Sequence, residues 1–486
     1  MSEDCFIGID QGSSSTKALV LSAEGQVLFR TKKTLPSPVR DGARIEHDPL
    51  EILKSVQDVL NEAVLSLQTS GFTPRGAGLS CQRSSCLIWN EAIGEPLSPV
   101  ISWRDTRGLD LVQQRASDAA TIFETTGLPL TPYYSASKFR WLRDNVPDAR
   151  TGTAVFGTLS SFLTQRLTGS RRATIDHTNA ARTQLMNIRS LDWDPKLLEL
   201  FGLSGIRLPE LRPTAMNLGL VQTAAGEVPL LACIGDQQAA MLGLGVVAQG
   251  DGGINYGTGG FLMVNTGPEL APAKGLMASL YYSTGKERHY LLEGSVNAVG
   301  DALEWLRNQI RLFSNYAELD DHCWQANTDV VAFIGLNGTG APHWEGAISS
   351  SLHGLTAAST SGDIIRGTVE NIAFFMKDIA EEIRVAGFEP ASFAISGGLS
   401  SLSYLAQIQA DILGKELLVG AEQEVSALGA ALLAGLSQGA WTSADIKRMA
   451  LPAEIVTPRQ NAGAEKRYQR WRELHRMTKV LDGIES

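Results

Sequence analysis

The chain has 486 residues, too many for one ordinary hydrophobic core, so two domains or slightly more are expected. Hydrophobic residues make up 43% and charged residues 19%, which fits a soluble globular protein. The net charge of −10 argues against nonspecific binding to nucleic acid or acidic membranes, although a local loop can capture phosphate inside an acidic protein.

The acidic N-terminus, Met-Ser-Glu-Asp, runs at once into a strand, without the basic and apolar regions of a signal peptide. The run Phe6-Ile7-Gly8-Ile9 ends on Asp10, a turn follows over Gln11-Gly12-Ser13-Ser14-Ser15, and apolar runs resume at Ala18–Leu21 and from Val27. This is strand–turn–strand–turn–strand with period-two character. The first turn offers backbone N–H groups, three hydroxyls and Lys17, all suited to phosphate, and it also reads as a plain Ser-rich hairpin turn. Asp10, at a strand end, is placed to work through hydrated Mg²⁺.

Pro49 to Leu67 has helical apolar spacing, with His47-Asp48-Pro49 as cap and first-turn proline. Gly76–Ser80 and Cys86–Trp89 read as strands around a polar turn, Gln82–Ser85, and Phe139–Asn145 and Phe162–Leu167 as helices. Such alternation predicts mixed α/β architecture. The second half reopens with Gly253–Tyr256, a turn Gly257-Thr258-Gly259-Gly260, and Phe261–Val264, mirroring the N-terminal element. Two such hairpins point to a duplicated fold with a nucleotide between its halves, divided near Val246–Gly253 into domains 1–247 and 248–486. Helices are expected at Asp301–Ile310, Ile364–Ile383, Tyr404–Leu413 and Val425–Gly435, the last a helix of small residues made for close packing, and a glycine-rich loop at Gly335–Pro342. Phe393–Ile395 runs into Gly397-Gly398 and then a helix, an order in which backbone can approach an adenosine or its phosphates, or simply turn.

The five cysteines, Cys5, Cys81, Cys86, Cys233 and Cys323, are mostly embedded in apolar runs, so a reducing compartment is expected and not a disulfide framework. No apolar run approaches the roughly 18 residues of a membrane span, so the cytoplasm is the expected location.

Phosphoryl transfer needs positioning, charge neutralisation and a base near the accepting hydroxyl. The candidate base is Asp236, where an apolar strand turns at Gly235 into a helix. Helix N–H groups there are expected to keep the carboxylate ionised, able to take the proton of an attacking hydroxyl; the same position also reads as an N-cap. Asp10 and Asp236 are the metal-facing carboxylates. There is no GxxxxGK[ST], HExxH or GxSxG motif, and the Gly257–Gly260 turn leads into a strand, unlike a dinucleotide fingerprint.

The chain resembles the FGGY carbohydrate kinases of the actin–hexokinase ATPase superfamily, and the glycerol kinases most closely among them. The passages that carry the resemblance are GIDQGSSSTK from Gly8, YSASKFRWLRDN from Tyr134, GDQQAAMLG from Gly235, NYGTGGF from Asn255 and DILGKELLVGAEQEVSALGAALLAG from Asp411, with DHTNAARTQLMNIRSLDWD from Asp176 and GAPHWEGAISSSLHGLT from Gly340. The resemblance implies two actin-like (ribonuclease H-like) α/β domains around a deep cleft, with sugar or polyol on the N-terminal side and ATP mainly on the C-terminal side. Closure would exclude water and prevent wasteful hydrolysis. It implies Asp236 as base, Asp10 on Mg²⁺, Gly12, Ser13, Ser14, Lys17, Gly257 and Thr258 around the ATP phosphates, and Gly300, Gly397 and Gly398 bordering the nucleotide.

Trp103, Tyr133, Gln237 and Phe261 match glycerol-site positions, as does Arg83, but Ser84 stands where glycerol kinases carry a glutamate that hydrogen-bonds glycerol. Losing such a partner costs several kcal/mol in discrimination. Leu402 departs too, where the family often places asparagine beside the nucleotide. The expected substrate is therefore a small polyol or ketose, with glycerol itself as the alternative. A homo-dimer or homo-tetramer is compatible with the family, and no nucleic-acid or membrane partner is expected. An ATPase switch and a non-catalytic sugar sensor are the rivals; the substrate-side matches and the retention of Asp10 and Asp236 speak against them.

Overall fold

The computed structural model describes residues 3–450 and 452–484. The N-terminal run forms an antiparallel meander of β1 (Glu3–Gln11), β2 (Ser15–Ser22) and β3 (Val27–Thr34). Helix α1 (Pro49–Ser66) starts at Asp48, whose Oδ1 accepts from the N–H of Leu50 at 2.7 Å and of Glu51 at 3.3 Å. Its buried face, including Ile52, Val56, Val59 and Leu60, shares a core with Ile7 and Ile9 of β1 and Val20 of β2. Each such side chain fully buried contributes roughly 1.5–3 kcal/mol.

β4 (Phe72–Cys81) returns parallel to β1. β5 (Cys86–Asn90) follows the expected polar turn but joins a separate five-stranded sheet. The turn redirects the chain at Ser84, whose φ of 65° is left-handed. Helices α2 (Ser135–Asn145) and α3 (Leu159–Thr168) each begin earlier than their apolar spacing indicates, because small residues such as Ser135 and Ser160 are buried in their first turns. β6 (Ala215–Thr223) and β7 (Gly226–Gly235) complete a first sheet in the order β6-β7-β4-β1-β2-β3, with β7 parallel to β4 and leading into α4 (Asp236–Gly243).

The second half repeats this plan. β8 (Gly252–Tyr256), β9 (Gly260–Gly267), β10 (Met277–Ser283) and β11 (Arg288–Val296) are antiparallel neighbours. After α5 (Gly300–Trp305) and α6 (Ser361–Val385), β12 (Ser392–Ser396) pairs parallel to β8. α7 (Ser403–Leu413), β13 (Glu416–Gly420), α8 (Val425–Gln438), β14 (Pro452–Val456) and α9 (Ala462–Leu481) follow. The second sheet runs β10-β11-β9-β8-β12-β13-β14. In both sheets an antiparallel hairpin is flanked by two parallel strands on its first strand's side, the duplication that the two turn motifs pointed to. α5 is shorter than expected because Leu306–Ile310 winds as a π-helical turn and ends at Arg311 with φ 61°.

α8 belongs to the second half of the chain but lies on the first sheet. A Cβ at Gly8 of β1 would stand 1.8 Å from the carbonyl oxygen of Ala427, and one at Gly78 of β4 would stand 2.0 Å from that of Ala430. On its other side, a Cβ at Gly429 of α8 would meet the carbonyl oxygen of Ala239 in α4 at 1.8 Å. Backbone therefore touches backbone, which only glycine permits. The core around this seam draws on both halves, from Phe6 and Ile234 to Met263, Tyr281 and Leu432. Among the described residues, no helix is long and apolar enough to cross a membrane.

Candidate active site

The carboxyl ends of the parallel strands in both sheets meet at one place, where ligands of open α/β sheets characteristically bind. From the first sheet come Asp10 at the end of β1, Gln82 after β4 and Asp236 after β7. From the second come Gly257 after β8 and Gly397 after β12. A hydrogen bond joins the two sets: Asn255 Nδ2 donates to Gln237 Oε1 at 3.0 Å.

Asp10 lies opposite Lys17 on β2 and Ser80 on β4. Ser80 Oγ donates to Asp10 Oδ1 at 3.1 Å. Burial and the neighbouring charge of Asp236 push the Asp10 carboxyl up to about 7, against the downward pull of Lys17 and Ser80. Lys17 is also tied to Glu424, just before α8, at 2.5 Å, so its ammonium is shared between Asp10 and a contact with the second half of the chain. The adjacent turn closes through Gly12 N–H to Ser15 O at 3.0 Å, and Ser14 is exposed. Ser13 Oγ donates to Gln82 Oε1 at 3.2 Å and accepts from the indole N–H of Trp103, also at 3.2 Å. Ser13, assigned to phosphate, thus touches Trp103, assigned to the polyol.

Asp236 is the first residue of α4, with Gly235 in the capping position. Its carboxylate accepts from Gln237 N–H at 2.8 Å and lies 3.2 Å from Arg83 Nε, and 28% of its side-chain surface remains exposed. It does not cap α4 in the way the simpler reading of the sequence required. Nor do the helix N–H groups decide its charge. Burial raises its carboxyl above the usual range, and Arg83 and the Gln237 N–H offset this only in part. The result is a stronger base than an ordinary carboxylate.

Sequence reasoning missed what stands behind Asp236. Arg83 Nη1 reaches Glu293 of β11 at 3.2 Å, while its guanidinium lies 5.7 Å from the Phe261 ring centroid. Glu293, fully buried, also binds Arg182 and accepts from Ser279 Oγ at 2.8 Å. Burial alone would raise the Glu293 carboxyl, but Arg182 and Arg83 outweigh it and hold it at about 2. The one available signal was a glutamate inside the apolar run Leu291-Leu292-Glu293. Lys138 was also missed, although it lies inside a quoted passage. It is fully buried and donates to the carbonyls of Ser102, Trp103 and Tyr133 at 2.9, 3.1 and 2.8 Å, which fixes the backbone under both aromatic side chains. The Trp103 and Tyr133 rings meet edge to face with centroids 6.3 Å apart, and Tyr133 is exposed. Ser84 is buried, its hydroxyl 3.4 Å from the Arg182 carbonyl oxygen.

On the other wall, Gly257 and Thr258 are exposed, and their carbonyls accept from the N–H groups of Gly300 at 3.1 Å and Asp301 at 3.2 Å. Gly397 has φ 95°, and a Cβ there would stand 2.1 Å from the Tyr256 carbonyl oxygen. Gly398 faces open space. Leu402 is buried in the second core. A hydrogen bond, an ion pair and ring contacts thus join Ser13 to Trp103 and Trp103 to Tyr133, and join Arg83 to Asp236 and Phe261.

The family model for the N-terminal domain of the FGGY family of carbohydrate kinases matches residues 5–243, and that for the C-terminal domain matches residues 252–437. The chain belongs to the FGGY family of carbohydrate kinases. Glycerol kinase of Streptococcus pyogenes is 32% identical over 99% of this FGGY kinase and 98% of its own length. That of Limosilactobacillus reuteri is 34% identical over 92% of each chain. The crystal structure of Plasmodium falciparum glycerol kinase with ADP superposes with a TM-score of 0.90 at 29% identity, covering 98% of both chains. Gluconate kinase from Lactobacillus acidophilus shares the fold, with a TM-score of 0.87 at 22% identity. The FGGY kinase is a phosphotransferase with ATP as donor and an alcohol group as acceptor.

The raised Asp10 carboxyl has a consequence for stability. Between about pH 4 and pH 7 the native chain binds a proton that the unfolded chain does not, so this group's contribution falls as pH rises through that window. In metal-free buffer, Asp10→Asn is expected to raise the unfolding midpoint at pH 8, with a ceiling of about 4 kcal/mol. The gain should shrink toward pH 5. Thermal melts of both proteins at pH 5, 6.5 and 8 test this, and a gain that is flat or grows on acidification contradicts it.

Proposed function

We propose that this kinase transfers the γ-phosphate of ATP to a hydroxyl of a small polyol or ketose of four or five carbons, with Asp236 as the general base. The observation that carries the reading is the pairing of Asp236 with Arg83 beside Asp10, where the strands of both sheets end. Arg83 holds the Asp236 carboxylate while leaving part of it exposed to the acceptor. The acceptor hydroxyl oxygen attacks the γ-phosphorus, its proton passes to Asp236, and the bond to the β–γ bridging oxygen breaks to release ADP. Trp103, Tyr133 and Phe261 form the apolar walls against the carbon chain, and Arg83 and Gln237 donate to its oxygens. Gly12, Ser13, Ser14, Lys17, Gly257 and Thr258 serve the phosphates, and Gly300, Gly397 and Gly398 serve the nucleoside.

Asp10 and Asp236 fit Mg²⁺, a hard cation of oxygen ligands, because their neighbouring charges repel and Ser80 occupies only one Asp10 oxygen. When bound, the ion supplies charge neutralisation on the phosphates. We place the division of the lobes at 247/248 and the protein in the cytoplasm, where ATP is plentiful.

Ser84 decides the acceptor. Where glycerol kinases carry a glutamate, this chain has a shorter, neutral side chain whose hydroxyl turns to the Arg182 carbonyl and offers no charged partner, which supports an acceptor other than glycerol. Glycerol is the second reading, favoured by identity of 32–34% to glycerol kinases over almost the whole chain. An ADP-coupled assay across glycerol, erythritol, erythrulose, xylulose and ribulose separates them. The best four- or five-carbon acceptor is expected to exceed glycerol at least ~10-fold in kcat/KM, since losing a hydrogen-bonding partner costs more than ~1.4 kcal/mol. Glycerol turnover as efficient as any other overturns the reading.

A further inference from the structure

We propose that the C-terminal lobe carries a second site, a binding site for a zinc-class dication held by His343, Glu345 and His475. His343 and Glu345 lie on the loop after Pro342, and His475 lies on α9. One donor atom from each falls within 4.8 Å of the others. His475 is 6% exposed, and its buried Nε2 makes no hydrogen bond although it lies 3.3 Å from Glu345 Oε1. Two donors that share a tetrahedral zinc at ~2.0–2.1 Å stand about that far apart.

The surroundings orient these donors. His343 Nε2 bonds to Asp378 Oδ2 at 2.8 Å, and Asp378 Oδ1 accepts from the Tyr468 hydroxyl at 2.5 Å. A carboxylate behind an imidazole fixes its tautomer and ring orientation, here leaving the His343 Nδ1 lone pair free. Thr339 Oγ1 donates to Glu345 Oε2 at 2.6 Å, which leaves Oε1 on the His475 side. The His475 ring stacks on Phe333 at 4.6 Å and stands edge-on to His343, also at 4.6 Å.

A cavity of about 490 Å³ opens beside the cluster, lined by His343, Asp378, His475 and Lys479 among others and by none of the cleft residues, so water has room to complete the coordination. Lys479 Nζ, 3.1 Å from Glu345 Oε1 and 23% exposed, now supplies the positive charge there. A dication takes its place and turns the lysine out to solvent. Two imidazoles and one carboxylate suit zinc, cobalt, nickel or copper better than Mg²⁺ or Ca²⁺, so this is not the ion of phosphoryl transfer. The sequence hides the site because His475 lies far along the chain from His343.

The test uses the tag-free full chain, stripped with EDTA and titrated with Co²⁺ by visible absorption and with Zn²⁺ by calorimetry. One ion per chain is expected, with affinity at least ~10-fold weaker in His343→Ala and His475→Ala and ~10–100-fold weaker in Asp378→Asn. Lys479→Met is expected to bind more tightly, and kinase activity with Mg-ATP is retained in each of these variants. No binding by the wild type, or unchanged binding in His475→Ala, overturns the proposal. Should His475→Ala fail to fold, Glu345→Gln stands in for it, and unchanged binding there overturns it equally.

Discussion

Asp236→Asn is expected to lower kcat by about 10²–10⁴-fold, the usual contribution of a positioned general base. Asparagine keeps the shape and can still accept from the Gln237 N–H, so the fold and the KM for ATP should change little. Arg83 remains paired with Glu293 in the variant, so no cation is stranded. Burial already penalises the native carboxylate, so the variant should unfold at the same temperature or slightly higher. Steady-state ADP release with the best acceptor, alongside a thermal melt, gives the result. A kcat within tenfold of wild type would remove Asp236 from the chemistry, and an early melt would show that the loss came from misfolding.

Glu293→Ala is expected to cost about 3–5 kcal/mol, because removing one partner of a buried ion pair leaves the other charge uncompensated. Here Arg182 loses its carboxylate outright, and Arg83 is left with Asp236 alone. Glu293→Gln, which retains a carbonyl acceptor for Ser279, should lose less stability. It should also pull Arg83 toward Asp236, now its only carboxylate, and move the pH–rate profile to lower pH. Urea unfolding and a kcat/KM–pH series measure the two effects. A loss under 1 kcal/mol in the alanine variant would mean that water or a shifted Arg182 replaces the carboxylate without difficulty.

The hairpin that ends in Asp10 was legible because period-two alternation and a polar turn are local properties, and so was the strand-to-helix bend at Asp236. The bend did not reveal the charge state of Asp236, because that depends on how deeply the carboxylate lies and on Arg83, which approaches from a distant turn. Glu293 and Arg182 were invisible for the same reason: each looks ordinary in its own segment, and only folding across 111 positions joins them. α9 escaped notice because its buried stripe, Ala464, Tyr468, Trp471, His475 and Thr478, is aromatic and polar amid charged residues. Ser84 stands out in the sequence by its residue type alone; its left-handed backbone and its hydroxyl contact with the Arg182 carbonyl come from the turn's geometry.

Three successive layers, the sheet bearing Gly8 and Gly78, then α8, then α4, are stacked with no side chain between their main chains at the crossing points. Such a joint has no compliant methyl groups to compress and no gap to open, so sliding there would break contacts that nothing nearby can replace. α8, although it is encoded in the second half of the chain, is thereby locked on both of its sides into the first half, and any displacement of the rest of the second half must be taken up by the segments that lead into and out of it.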